Sequence, residues 1–184
     1  MKTFKSHLKE TTLSRVFRHF QNKKIPVGII TAFRDEFEYG QNVKRNKVLA
    51  SKVKKARYGF IYVDGHWKEK DKDTGELVDV NEDSILVVGS ENDSGKLKGL
   101  FKKWVKEYNQ DAALFKDAGT TEIQFIKQSG NGEPFAQKFS QKKLEIGYTK
   151  LRGRSKSVFS FDEERDGEGW LGRMERLIKE RQKK

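Results

Sequence analysis

Three strongly polar residues lie on a helix stripe that should face a protein interior. At about 100° per residue, Asn42, Arg45 and Asn46 fall within about 60° of Leu49, which leads the apolar stripe of a helix predicted over residues 42–56. A guanidinium that faces inward needs a partner, because an unpaired buried charge is very costly. The spacing therefore predicts a partly buried polar cluster built around Arg45.

Other polar groups stand where strands and helices are predicted to end, so the fold can bring them to the same place. They are Gly65-His66-Trp67, Glu82-Asp83-Ser84 and Asn109-Gln110-Asp111. Glu82 or Asp111 is the expected partner of Arg45. Neighbours in a strand point to opposite faces, so Glu82-Asp83 offers one inward carboxylate.

This cluster has two interpretations, and the sequence leaves both open. In the first, it is a structural network that caps elements and fixes their register. In the second, it is a pocket in which Arg45 holds a phosphate or carboxylate, the amides read polar edges and Trp67 stacks. The ligand-binding candidates are then Asn42, Arg45, Asn46, Trp67 and Gln110, and the catalytic candidates are His66, Glu82 and Asp111.

Several other chemistries are excluded or poorly supported. The chain has no cysteine and three dispersed histidines, so no thiolate chemistry and no zinc site are expected. The segment 89–97 lacks the spacing and the hydroxyl of a phosphate-binding P-loop, and no GxSxG elbow occurs. No cofactor is expected, except Mg²⁺ if Asp111 and Glu122 formed a nuclease-like site.

Charge is distributed in blocks, with a formal net charge of +12. Residues 41–58 hold seven basic groups and no acid, residues 59–95 hold three lysines and ten acids, and residues 142–156 are basic again. Basic blocks beside aromatic residues are typical of nucleic-acid binding. The candidate nucleic-acid-binding residues are Lys44, Lys47, Lys54, Lys55, Tyr148, Lys150, Arg152, Arg154 and Lys156.

The hydrophobic pattern predicts an α+β fold, with a mainly antiparallel or mixed sheet of about five to six strands flanked by amphipathic helices. Short apolar runs predict strands at 27–33, 58–63, 84–88, 112–115, 123–126 and 158–161. Apolar residues at helical spacing from Leu97 to Tyr108 predict a helix with Ser94 as its N-cap, and those at 170–178 predict a closing helix.

These elements favour a single domain over residues 1–184. Its core is expected at about 25–127, with an N-terminal helix at 6–22 and a C-terminal segment at 140–184 that packs on it or is appended. No apolar run reaches the roughly 18 residues of a membrane span, and no signal peptide is recognised, which favours the cytoplasm.

The chain resembles an uncharacterised family of bacterial and phage proteins, a domain of unknown function. The matching motifs cover residues 25–127 in order: Ile29-Ile30-Thr31-Ala32, Asn42-x-x-Arg45-Asn46-x-x-Leu49, Gly65-His66-Trp67, Glu82-Asp83-Ser84-Ile85-Leu86-Val87 and Tyr108-Asn109-Gln110-Asp111-Ala112. The resemblance implies a phage-type protein of the bacterial host cytoplasm and brings no activity with it.

Three functions fit these observations. The leading hypothesis is a phage-type accessory protein that binds a polyanion, nucleic acid above all, through its basic segments. The first alternative is an enzyme or a sequestering protein for a nucleotide-like ligand held in the polar pocket. The second is an inhibitor of a host protein or a virion component. Whether the chain is an enzyme stays open at this point.

Overall fold

Three helices and nine strands make up the part of the chain that the computed structural model describes, which is residues 13–70, 74, 77–129, 132–134, 137–140, 147–151 and 158–163. The helices are α1 (Leu13–Gln21), α2 (Tyr39–Lys55) and α3 (Lys96–Glu107). The strands are β1 (Val27–Ile30), β2 (Gly59–Lys70), β3 (Leu77–Val88), β4 (Ala112–Lys116), β5 (Ile123–Lys127), β6 (Gly132–Pro134), β7 (Gln137–Ser140), β8 (Gly147–Leu151) and β9 (Val158–Glu163).

The strands form one sheet in the order β6-β5-β4-β1-β3-β2-β8-β9-β7, and each described pairing is antiparallel. Five central strands, β5-β4-β1-β3-β2, carry the helices, and four short strands extend the sheet at its two edges. The predicted α+β class with an antiparallel sheet is therefore confirmed. Helix α1 falls within the N-terminal helix predicted at 6–22, while residues 6–12 and the predicted helix at 170–178 lie outside the described residues.

Each face of the central sheet carries its own core. Ile30, Ile85 and Val87 pack under α2 and α3, together with Leu49 and Phe101 from those helices. The opposite face packs against α1; its core residues include Val16, Phe20, Val27, Ile29, Val63 and Leu86. Alternating residues of β1 and β3 thus serve opposite cores, as the pleat of a strand requires.

The ends of α2 and α3 differ from the sequence predictions. Helix α2 begins three residues early, at Tyr39, where Gln41 Oε1 accepts a hydrogen bond from the Glu38 amide at 3.1 Å. The prediction of Ser94 as the N-cap of α3 is wrong, because Gly95 holds that position with a φ of 80°. The capping oxygen comes instead from Asp93, whose Oδ1 accepts from the Leu97 amide at 2.9 Å.

Lys116 is a fully buried cation at the end of β4. Its Nζ donates to the carbonyl oxygens of Asn22 at 3.0 Å and Ile25 at 2.6 Å, which follow α1, and also lies within 3.3 Å of the carbonyls of Asp117 and Thr120. The side chain therefore ties the connection between α1 and β1 to the loop between β4 and β5.

No helix in the described ranges is long and apolar enough to cross a membrane.

Candidate functional site

The connection between β1 and α2, residues 31–38, leaves the sheet without regular hydrogen bonding and is held by side chains instead. We call it the β1–α2 loop. Asn42 accepts from the Arg34 amide and donates to the carbonyls of Arg34 and Phe37, all at 2.9 Å. Asn46 accepts from the Ala32 amide at 3.1 Å and donates to the Asp83 carbonyl at 2.9 Å. Two amides of the predicted polar stripe are thus bonded to main chain.

Arg45 and Gln110 complete this arrangement. Arg45 Nε donates to the Ala32 carbonyl at 2.9 Å, and its Nη2 donates to the Tyr108 carbonyl at 3.2 Å. Gln110 Nε2 donates to the Phe33 carbonyl at 2.8 Å. Arg45 is partly buried, as predicted from its place on the stripe, but the expectation of a carboxylate partner, Glu82 or Asp111, is wrong.

A loop that turns away from a sheet loses its ladder partners, and buried peptide groups must find others. Here the Phe33 amide also donates to Thr31 Oγ1 at 3.0 Å. All six peptide groups of residues 32–34, three amides and three carbonyls, are therefore bonded to side chains. The Asn-x-x-Arg-Asn motif fixes the shape of the β1–α2 loop.

Aspartates from two neighbouring strands meet beside this loop. Asp64 of β2 pairs directly with Asp83 of β3 in the antiparallel register. Asp83 shares its face with Ile85 and Val87, which lie under α2 and α3. Directly opposed residues have their Cβ atoms about 5 Å apart on one face, so the two carboxylates stand side by side on the α2 side of the sheet.

Asp111 extends this pair into a row. The registers Ile30↔Ile85 and Ile29↔Leu114, continued beyond Ile30, place Ala32 between Asp83 and Asp111. Neighbouring strands lie about 4.8 Å apart, so Asp111, which directly precedes β4, lies about two strand spacings from Asp83, with the end of β1 between them. We call these three residues the carboxylate row. In the described part of the chain no three acidic or histidine side chains are close enough to hold one metal ion.

Charged and aromatic side chains of the β1–α2 loop border the carboxylate row. Arg34 Nε contacts both oxygens of Glu36, at 3.1 and 3.3 Å, and its Nη1 lies 3.9 Å from Asp111 Oδ1. Arg45 Cζ lies 4.3 Å from the centre of the Phe37 ring. The Tyr39 side chain is 69% exposed. Both signs of charge and open aromatic surface are thus present near the end of β1 and the start of α2.

The remaining predicted site residues lie on several elements. Glu82 lies on the α1 face, opposite to Asp83. His66 and Trp67 lie in β2, opposite Asn81 and Val80, and their side chains are outside the described part. Lys44, Lys47, Lys54 and Lys55 are exposed on α2. In β8, Tyr148 and Lys150 lie opposite His66 and Asp64 of β2, so the register places a basic residue next to the carboxylate row. Arg152, Arg154 and Lys156 are outside the described residues.

Sequence reasoning missed Thr31, Arg34 and Asp64 as site residues. The available signal is position: Thr31 directly follows β1, Arg34 lies in the loop after it, and Asp64 follows the apolar run 58–63. The sequence leaves Glu82 and Asp83 as alternatives for the inward carboxylate, and the register of β3 places Asp83 on the α2 face.

The fold and the site together describe an α+β protein in which side chains of α2 order the β1–α2 loop, beside acidic and basic groups near the end of β1. The model of the S-adenosylmethionine lyase family matches residues 28–171, which include the carboxylate row and the β1–α2 loop. The chain belongs to this family.

Comparison with individual proteins adds one solved structure. The chain is similar to a phage SAM lyase in complex with S-methyl-5'-thioadenosine, at 14% sequence identity and a TM-score of 0.30, over 69% of this chain and 88% of that one. No curated protein matches the chain. The expectation of a phage-type family is confirmed, and the family carries a named activity that the resemblance did not supply.

The prediction of a polyanion, nucleic acid, as the main partner is wrong, because the family is defined by a small molecule. The physical reason lies in where the charges are. The lysines of α2 that suggested nucleic acid point into solvent, as lysines of surface helices commonly do for solubility. The site at the β1–α2 loop instead combines three aspartates with two arginines. The alternative of an enzyme for a nucleotide-like ligand agrees with the family.

Proposed function

We propose that this protein is an enzyme that cleaves S-adenosylmethionine into S-methyl-5'-thioadenosine and a four-carbon fragment without adding water. Membership of the S-adenosylmethionine lyase family carries the proposal. The site is the carboxylate row with the β1–α2 loop, and both lie within the matched residues. We expect the enzyme to act in the cytoplasm of a bacterial host, as the resemblance to phage-type proteins implies.

The charged groups of the site are complementary to those of S-adenosylmethionine. S-adenosylmethionine carries a sulfonium and an ammonium, both positive, together with one carboxylate and an adenine ring. The carboxylate row offers Asp64, Asp83 and Asp111 to the positive groups. Arg45 uses two of its five N–H groups on carbonyls, so it retains donors for the substrate carboxylate. Tyr39 presents an open ring for stacking adenine, beside Phe33.

The chemistry requires that one bond breaks and that its electrons stay with sulfur. When the bond between sulfur and Cγ of the aminobutyrate chain breaks, the sulfonium becomes a neutral thioether. The four-carbon fragment then has two balanced routes. Its own carboxylate closes on Cγ to give a lactone with no proton released, or a base removes a Cβ proton to give an unsaturated amino acid.

Transition-state charge decides which group the carboxylates should hold. The positive charge on sulfur disappears as the bond breaks, so an aspartate paired with sulfur stabilises the substrate more than the transition state. The ammonium keeps its charge throughout. We therefore assign Asp83 to the substrate ammonium, where it orients the chain, and leave the sulfur to less polar surroundings. His66, Trp67 and Gln110 stay candidates for contacts with the nucleoside.

The test is incubation of the purified protein with S-adenosylmethionine, followed by mass spectrometry of both products. We expect S-methyl-5'-thioadenosine, and in H₂¹⁸O we expect no label in the four-carbon fragment, sampled before any lactone can hydrolyse. Because neither route needs a metal or redox cofactor, EDTA should leave the rate unchanged. Label incorporated by the enzyme, or an absence of product, contradicts the proposal.

Asp83→Asn should lower kcat/KM about 100-fold, since removing a buried charge partner of the substrate costs about 2–5 kcal/mol. Glu91→Gln makes the same change of charge on an exposed residue past the C-terminal end of β3. This control should keep kcat/KM within about twofold. Equal losses in both variants would remove Asp83 from the site.

A further inference from the structure

The main chain of Asp83 is held by two side chains from outside its own strand. Its carbonyl accepts from Thr31 Oγ1 at 2.7 Å and from Asn46 Nδ2 at 2.9 Å. Thr31 directly follows β1 and Asn46 lies on α2, so the end of one strand and one helix converge on a single oxygen of β3. Asn46 is 3% exposed, and its hydrogen bonds are thereby shielded from water.

The same two residues also hold the β1–α2 loop. Asn46 Oδ1 accepts from the Ala32 amide, and Thr31 Oγ1 accepts from the Phe33 amide. Each side chain therefore acts as donor to Asp83 and as acceptor from the loop. These two bridges fix the distance between the Asp83 main chain, from which the carboxylate projects, and the β1–α2 loop.

We infer that Thr31 and Asn46 are positioning residues that hold the Asp83 carboxylate in register with the groups of the β1–α2 loop that bind the rest of the substrate. This inference rests on the proposed function and names residues to which neither the family nor the sequence motifs assign this role. Both act through Asp83, and neither needs to touch the substrate.

The bridges matter because cleavage depends on alignment. If Asp83 orients the aminobutyrate chain, a carboxylate that moves by about 1 Å still binds the ammonium but holds Cγ off the line of reaction, which costs up to about 100-fold in rate. Loss of a bridge should therefore lower kcat while KM stays nearly constant. If the bridges only stabilise the fold, the result differs: the melting temperature falls, and kcat stays normal at temperatures where the variant is still folded.

The test compares four variants of the full chain in S-adenosylmethionine cleavage and in thermal melting. Thr31→Val keeps the shape of the side chain but removes its hydrogen bonds, and Asn46→Ala removes the second bridge. Thr31→Ser restores the hydroxyl. Lys116→Met is the control for stability, since it removes a buried structural contact at the far end of β4.

We expect Thr31→Val and Asn46→Ala to lower kcat about tenfold or more with KM changed less than about threefold. Thr31→Ser should recover kcat to within about twofold, and Lys116→Met should melt earlier with unchanged kcat. If Thr31→Val and Asn46→Ala melt earlier but keep wild-type kcat, the positioning role is overturned while the proposed function stands. If the wild-type protein releases no S-methyl-5'-thioadenosine, both are overturned.

Discussion

A buried ammonium, that of Lys116, is surrounded by four carbonyl oxygens. Lys116 is fully buried, and burial lowers its pKa to about 8 despite the nearby Asp117 carboxylate, which raises it. The charge is tolerated because the surrounding carbonyls replace the water that it lost. Lys116 therefore helps to hold the α1–β1 connection against the loop between β4 and β5, and we assign it no part in the chemistry of the proposed site.

Lys116→Met should lower the free energy of unfolding by about 2 kcal/mol, because the carbonyls of Asn22 and Ile25 lose their donor. Urea denaturation measures the change. Lys23→Met, on an exposed lysine close by, should change it by less than about 0.5 kcal/mol. A neutral result for Lys116→Met would mean that the cost of burying the charge cancels its hydrogen bonds.

The stability contributed by Lys116 should depend on pH. Its folded pKa of about 8 lies below the usual lysine pKa of 10.5, so the folded chain releases the proton first and gains stability as pH rises from 8 to 10. The difference in unfolding free energy between wild type and Lys116→Met should widen over this range. Tyr58, whose pKa is raised to about 12 by burial and by its bond to Asp93, acts only above pH 10, where the folded state loses stability. A difference that narrows between pH 8 and 10 would contradict the lowered pKa.

The β1–α2 loop shows how one helix can order a whole connection. Asn42 alone makes three hydrogen bonds to Arg34 and Phe37, and its amide atoms are occupied by them. In residues 32–34 of the loop, every peptide N–H and C=O group is hydrogen-bonded to a side chain. The loop should consequently behave as a rigid part of the fold.

Asn42→Ala should therefore release the loop. We expect amide hydrogen exchange to rise over residues 32–37 and the free energy of unfolding to fall by about 2–3 kcal/mol, since each lost buried bond is worth about 1 kcal/mol. Gln41→Ala is the matched control, because Gln41 is exposed and bonds only the Glu38 amide of this segment. Faster exchange in both variants alike would indicate fraying at the start of α2.

Much of this arrangement follows from sequence, and the reasons for the rest are physical. The apolar periodicity of residues 97–108 predicts α3, and the polar stripe predicts that Asn42, Arg45 and Asn46 face inward. The sequence does not identify their hydrogen-bond partners, because these are main-chain groups, which residues of almost any type can supply. The pairing of Asp64 with Asp83 depends on the register of the β2–β3 hairpin, which local propensity does not determine.

The whole molecule separates its charges by surface. The exposed side of α2 is basic, whereas three aspartates lie near the β1–α2 loop. If the proposed cationic substrate binds there, the lysines of α2 have little effect on it, because at physiological ionic strength exposed charges act only within about 8 Å. The net charge of +12 is therefore an argument about the solubility of the protein and does not identify its ligand.

Replacing Lys44, Lys47, Lys54 and Lys55 together by Gln should leave kcat and KM for S-adenosylmethionine within about twofold, because these exposed charges lie on the solvent side of α2. Steady-state kinetics at low and physiological salt check this. A loss of activity greater than fivefold at physiological salt would show that the basic helix belongs to the catalytic surface.

The side chains that order the β1–α2 loop bind its peptide N–H and C=O groups, and every residue type except proline has both groups. Arg34, Asp35 and Glu36 can therefore be exchanged without loosening the anchors on α2, although Phe33, which is buried in the core, cannot. Selection is free to alter what the loop presents to a ligand while its path stays constant. A chain built in this way can acquire a new substrate preference from a few exposed substitutions and keep its architecture.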